Sequence, residues 1–186
     1  MVTPRLSLRE WREEDRAPFA EMNADPEVME YFRAPLSRGE SDVVVDRFVD
    51  EFERRGFCPW AVVERETGRF VGFVGLHEVP EVLDFAPAVE VGWRLARPFW
   101  GLGYATEGAT SSLDFAFGAL ALDEVVSMTT LANRRSARVM ERLGMKRDPG
   151  ADFEHPSIPV GHPVRAHMLY RLQRGEWRAA RQPLTA

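Results

Sequence analysis

Trp100-Gly101-Leu102-Gly103-Tyr104-Ala105-Thr106-Glu107 is the stretch whose reading decides the fold. Before it, Ala88 to Leu95 alternates: Val89, Val91, Trp93 and Leu95 share one face, and Glu90, Gly92 and Arg94 the other, which predicts a strand. After it, Ala105, Ala109, Leu113, Ala116 and Phe117 form one helical stripe, and Val125 to Leu131 reads as a further strand. Strand, glycine turn, helix and strand make a βαβ unit, with parallel strands and a right-handed crossover. A Gly-x-Gly turn at the head of a helix bares backbone N–H groups at the positive end of the helix dipole. That arrangement binds phosphate without a basic side chain.

Outward from this unit the order of elements excludes a doubly wound sheet. Leu6 and Leu8 mark a short first strand, and acidic Glu13-Glu14-Asp15 opens a helix over about residues 13–23. Ser37 with Glu40 fits a capping box, behind which Val44, Val45, Phe48, Val49 and Phe52 predict an amphipathic helix over about 39–55. Phe57 to Glu64 and Phe70 to Glu78 read as strands joined by the hairpin residues Glu66-Thr67-Gly68-Arg69. Beyond the βαβ unit, Asn133 caps a helix over about 134–143 that stops at Gly144. An extended segment from Met145, a Pro- and His-rich loop at 154–163, a strand near 165–172 and a short helix complete the chain. The fold class is α/β in the layered α+β sense, read as one domain over 1–186 because no linker, repeat or low-complexity segment interrupts it.

The 186 residues suffice for a sizeable core, and 45% hydrophobic with 28% charged residues is ordinary for a globular protein. A net charge of −5 supplies no global field for nucleic acid. No apolar run approaches a membrane span and no signal peptide is legible, so a cytoplasmic location is expected. Cys58 is the only cysteine and cannot form an intrachain disulfide; aromatic neighbours Phe57 and Trp60 point to a buried strand rather than a nucleophile.

Three phosphate ligands compete for the glycine turn. Gly103 and Gly108 have Walker spacing, but Ala109-Thr110 replaces the Lys-Ser/Thr pair. A dinucleotide fingerprint needs a third glycine where Thr106 stands, and the lone βαβ unit follows an antiparallel meander. The third ligand is coenzyme A. Trp100-Gly101-Leu102-Gly103-Tyr104-Ala105 aligns with the pattern Arg/Gln-x-x-Gly-x-Gly/Ala, departing from it at Trp100. Asn133-Arg134-Arg135-Ser136 and Glu141-Arg142-Leu143-Gly144-Met145 follow downstream. In this combination the chain resembles the GNAT superfamily of N-acetyltransferases, and is similar to its branch that acetylates ribosomal-protein N-termini at alanine or serine. The likeness covers about residues 3–172 and is most specific over 88–146.

The resemblance implies a GNAT fold: a mixed central sheet of about seven strands with flanking helices. It implies acetyl-CoA as co-substrate, with no metal. Pantetheine would pair with the backbone near Leu95 to Arg97, and Asn133 would help to position it. The pyrophosphate would meet the N–H groups of Gly101, Leu102, Gly103, Tyr104, Ala105 and Thr106. The acceptor would be a primary amine, on a protein N-terminus or a small molecule, with no nucleic acid or membrane as partner; a homodimer is compatible with it. Amine attack needs a neutral nucleophile, and Glu90, on the strand entering the turn, is the proton acceptor the resemblance points to. Met140 stands where many relatives carry a tyrosine acid, so the resemblance assigns the departing sulfur to Ser136. A member without turnover would be a CoA-binding sensor or assembly subunit; the presence of Glu90, Asn133 and Ser136 argues for an enzyme. His155, His162 and His167 have no tight zinc spacing and read as structural or substrate-side residues.

Overall fold

A computed structural model describes residues 1–181. It holds seven strands, β1 (Leu6–Arg9), β2 (Pro59–Glu64), β3 (Phe70–Glu78), β4 (Val89–Leu95), β5 (Glu124–Thr130), β6 (Lys146–Glu154) and β7 (Ala166–Gln173). Five helices accompany them: α1 (Arg16–Ala24), α2 (Arg38–Arg55), α3 (Tyr104–Gly118), α4 (Arg134–Arg142) and α5 (Arg174–Arg181). The strands form one mixed sheet in the order β1-β2-β3-β4-β5-β7-β6. β1–β2, β2–β3, β5–β7 and β6–β7 pair antiparallel, while β4 and β5 pair parallel at Glu90 and Val126. The expected parallel βαβ unit and layered fold class are therefore present.

Element boundaries follow local chemistry. Ser37 accepts from the Glu40 amide while Glu40 reaches back to the Ser37 amide, so α2 opens on the expected capping box. The helix expected over 13–23 is divided: Glu13–Asp15 is a 3₁₀ turn and α1 begins at Arg16. The cause is Asp15, which is buried, accepts from the Arg12 amide and takes two bonds from Arg9 at 2.6 and 2.9 Å. α4 is capped by Asn133, whose Oδ1 accepts from the Ser136 amide, and Gly144 follows it at φ +79°. β2 starts two residues later than the sequence pattern indicates, at Pro59.

The chain folds into two compact units, Met1–His77 with Val91–Ser112, and Glu78–Glu90 with Leu113 onward. The first has an aromatic core in which Trp11, Phe19, Phe48, Phe70 and Phe73 pack with ring centroids 4.8–6.4 Å apart. Cys58 lies fully buried there, and burial pushes its thiol up to about 12, so it is no nucleophile at neutral pH. Gly108 explains itself in this unit: a Cβ there would stand 3.1 Å from Val74, so the residue that mimicked Walker spacing serves helix–sheet packing. The second unit has a core of Val79, Leu83, Val126 and Leu169, with Phe85 and Phe153 against it. No helix among the described residues is long and apolar enough to cross a membrane.

Candidate active site

The glycine turn belongs to the first unit. Gly101 and Gly103 adopt φ +75° and +81°, a left-handed backbone that L side chains rarely accept. A Cβ on Gly101 would meet nothing within 4 Å, and one on Gly103 only Arg5 Nη2 at 3.6 Å. Open space therefore lies over the turn. The Gly103 carbonyl accepts from the Glu107 amide, closing the first turn of α3. Among the described residues no protein acceptor serves the N–H groups of Gly101 through Thr106. Bare donors, an open approach and a helix N-terminus fit a pyrophosphate.

Residues distant in sequence brace this turn. Arg5 donates through Nε to Glu107 Oε2 at 2.7 Å and through Nη1 to the Leu102 carbonyl at 2.9 Å, with its guanidinium 4.6 Å from the centre of the Tyr104 ring. Glu107 also accepts from the Thr3 hydroxyl and the Arg5 amide, at 2.6 and 2.9 Å. Burial alone would raise the Glu107 carboxyl, but these bonds outweigh it and hold it below the usual range. Tyr104 donates to Glu64 Oε1 at 2.5 Å. The Trp100 indole donates to the Leu95 carbonyl at 2.8 Å, so the residue that departs from the family pattern ties the strand end to the turn. Arg5 also adds a basic side chain beside a turn that the sequence presents as purely backbone. Nothing in the sequence near residue 100 signals these partners.

The Arg5→Ala protein is expected to bind acetyl-CoA about tenfold more weakly, through loss of the clamp on Leu102 and of local positive charge. Titration calorimetry checks it; unchanged affinity would remove Arg5 from the cradle.

The other expected cofactor residues sit as follows. The Ala96 amide donates to the Val71 carbonyl, and the Leu95 carbonyl is already engaged by Trp100. Arg97 pairs with Asp25 and Glu27 and lines an open groove of about 660 Å³ beside α1, β2 and β3. Arg94, two residues from Gly92 on the same strand face, donates to Asn23 Oδ1 at 2.6 Å and lies 3.9 Å from the Phe32 ring centre. Its Nε is enclosed without a partner, and burial, with Arg47 nearby, pushes its guanidinium down to about 10.

The second unit holds Glu90, Asn133 and Ser136. Asn133 Nδ2 donates to Thr129 Oγ1 at 2.9 Å and Ser136 Oγ at 3.1 Å while its Oδ1 caps α4. Ser136 Oγ thus accepts from Asn133, which orients its hydroxyl proton away from the cap. Glu90 is 6% exposed, and its Oε1 accepts from the Met128 amide at 3.3 Å. His155 and His167 lie within its electrostatic reach. Met140 is buried. Among the described residues no group of three His, Cys, Asp or Glu side chains could hold a metal ion.

Comparisons with known proteins identify the family. Residues 5–146 match the family model described as an acetyltransferase (GNAT) domain. The chain therefore belongs to the GNAT acetyltransferase family, and is an acetyl-CoA-dependent N-acetyltransferase. It is 30% identical over 188 residues to the FsC-acetyl coenzyme A-N(2)-transacetylase of Aspergillus fumigatus, covering 97% of this chain and 79% of that one. An acetyltransferase from Agrobacterium tumefaciens superimposes with a TM-score of 0.75 at 28% identity, over 93% of each chain. A putative ribosomal-protein-serine acetyltransferase from Vibrio cholerae shares the fold with a TM-score of 0.74 at 20% identity, over 92% of this chain and 95% of that one.

Proposed function

We propose that this chain is a single GNAT domain, acting in the cytoplasm, that moves the acetyl group of acetyl-CoA directly to a primary amine on a protein N-terminus or a small molecule. The observation that carries the donor side is the open Gly101–Thr106 turn with its unspent N–H donors. The family model runs through both units, which supports one domain. On the acceptor side, the Aspergillus relative is named as an acetyl coenzyme A-N(2)-transacetylase, which fits an acceptor nitrogen, while the motif pattern at Trp100 to Glu107 is similar to the ribosomal-protein branch.

Acetyl-CoA supplies an activated thioester, and the residues supply position and proton management. The amides of Gly101 to Thr106 hold the pyrophosphate, the backbone near Leu95 to Arg97 pairs with the pantetheine arm, and Asn133 helps to position that arm. Glu90 takes a proton from the acceptor ammonium, directly or through water, and frees the nitrogen lone pair. Ser136, with its oxygen held by Asn133, donates toward the departing sulfur. The test is free-thiol release from acetyl-CoA with a panel of small amines and N-terminal peptides, products read by mass spectrometry. Turnover with members of the panel is expected; tight acetyl-CoA binding with no turnover would identify a sensor instead. Ser136→Ala is expected to lower kcat about 10- to 100-fold with little change in acetyl-CoA affinity. Wild-type kcat in that protein would dismiss Ser136.

A further inference from the structure

The reaction leaves a proton to be disposed of. An ammonium acceptor and a thioester give an amide, a thiol and one proton: the nitrogen loses two protons, one ends on sulfur and the other must reach solvent. Glu90 is buried, so a carboxyl formed there needs an acceptor before the next turnover. Two histidines of the same unit stand where one is needed.

His167 lies on β7, opposite Thr130 of β5 and Phe153 of β6, and is 8% exposed. Its Nδ1 is 2.9 Å from the Arg165 carbonyl oxygen. A carbonyl only accepts, so Nδ1 carries the hydrogen and Nε2 keeps its lone pair. His155 follows β6 directly, is half-buried, and its Nδ1 accepts from the Ser157 amide at 3.3 Å. The two rings lie with centroids 5.1 Å apart, and Phe153 backs both at 5.5 and 6.2 Å. Glu90 stands level with Val126 on β5, and its carboxylate reaches along that strand to the Met128 amide, toward Thr130. His167 pairs with Thr130, two residues further along β5, and feels the charge of that carboxylate.

We propose that His167, with His155 on its outer side, is the proton acceptor that resets Glu90. The inference rests on Glu90 as the first base. The ammonium proton passes to Glu90, giving a neutral carboxyl and a free amine; the carboxyl passes it through water to His167 Nε2, restoring the carboxylate. The imidazolium, its Nδ1–H on the Arg165 carbonyl and the Glu90 charge near it, then releases the proton to solvent at the half-exposed His155 edge. His167 and His155 are positioning residues in this scheme, since they act through Glu90.

The charged groups facing the pair fit this use. They are Glu90 from β4, Glu154 from β6 and Arg165 from the segment before β7, the last paired with Glu154 at 2.8 Å. Burial lowers both imidazoles below their ordinary range, and for His155 the neighbouring His167 and Arg165 add to it, so both are neutral and receptive at pH 7. Glu90 opposes that shift, favouring the imidazolium when it forms.

The test pairs His155→Gln and His167→Gln with a readout that needs no turnover. Both variants are expected to lose about 10- to 100-fold in kcat while KM for acetyl-CoA holds, with partial recovery on adding imidazole. Nitrogen-15 spectra of the wild type should show His167 unprotonated at Nε2 and His155 unprotonated at Nδ1. Glu90→Gln should move both titration midpoints downward, because it removes the carboxylate that raises them. Full kcat with an unshifted pH profile in both variants, failure of imidazole to restore rate, or midpoints indifferent to Glu90→Gln would each overturn the relay. Absence of thiol release from the wild type overturns the function reading instead, and the spectra still decide whether Glu90 and the histidines are coupled.

Discussion

Gly103→Val is expected to abolish measurable acetyl-CoA binding, a loss of more than about 100-fold, in a protein that still folds. Gly103 holds φ +81°, and in the free protein a Cβ there would meet only the flexible end of Arg5. The space is therefore open and would not by itself destabilise the fold. A β-branched residue in that backbone costs about 1–3 kcal/mol, which lowers the melting temperature by several degrees in a chain of this size. The larger effect is on the ligand. Valine methyls would occupy the approach to donors that lie along the backbone itself, and a backbone that relaxes to negative φ turns those donors away. Calorimetry with acetyl-CoA, beside a thermal melt, separates the two effects. Gly118→Ala is the control, since Gly118 keeps ordinary φ with nothing within 4 Å of its Cβ position. A Gly103→Val protein that binds acetyl-CoA like the wild type would displace the cradle from this turn.

Glu90→Gln should reduce kcat by about 10²- to 10⁴-fold at pH 7 while leaving the dissociation constant for acetyl-CoA unchanged. Glutamine keeps the shape and can still accept from the Met128 amide, but it cannot take up a proton. The deficit is expected to shrink as pH rises, because the acceptor then loses its proton to solvent unaided. The pH at which the deficit closes reports the acceptor: about 8 for a protein α-amine, near 10 for an alkyl amine. A pH–rate series on wild type and variant thus tests the residue and sorts the substrate classes together. A Glu90→Gln protein with undiminished turnover across the range would exclude Glu90 as the base.

How much of this was legible in the sequence differs residue by residue. Ser37 and Glu40 announced the start of α2, and Asn133 the start of α4, because a cap is made by residues within four positions of each other. The helix expected over 13–23 lost its first turn to Asp15, whose carboxylate is claimed by Arg9 of β1 and by the Arg12 amide. That competition is not encoded in helical periodicity. The Walker-like spacing of Gly103 and Gly108 is likewise resolved only by Val74, which sits against Gly108 from another element.

Local pattern was enough for the βαβ unit, the Gly-x-Gly turn at its centre and membership of the GNAT family. These depend on period, capping and turn conformation, which act over a few residues and leave a readable trace. It took the folded chain to bring Arg5 and Thr3 to Glu107 behind that turn, and to spend the Trp100 indole on the Leu95 carbonyl. Folding also put His155 and His167, which read as residues of a Pro-rich loop and a late strand, into the electrostatic field of Glu90. Such meetings are set by how elements far apart in sequence pack together, as with the 102 residues between Arg5 and Glu107. Side-chain spacing along the chain carries no record of them.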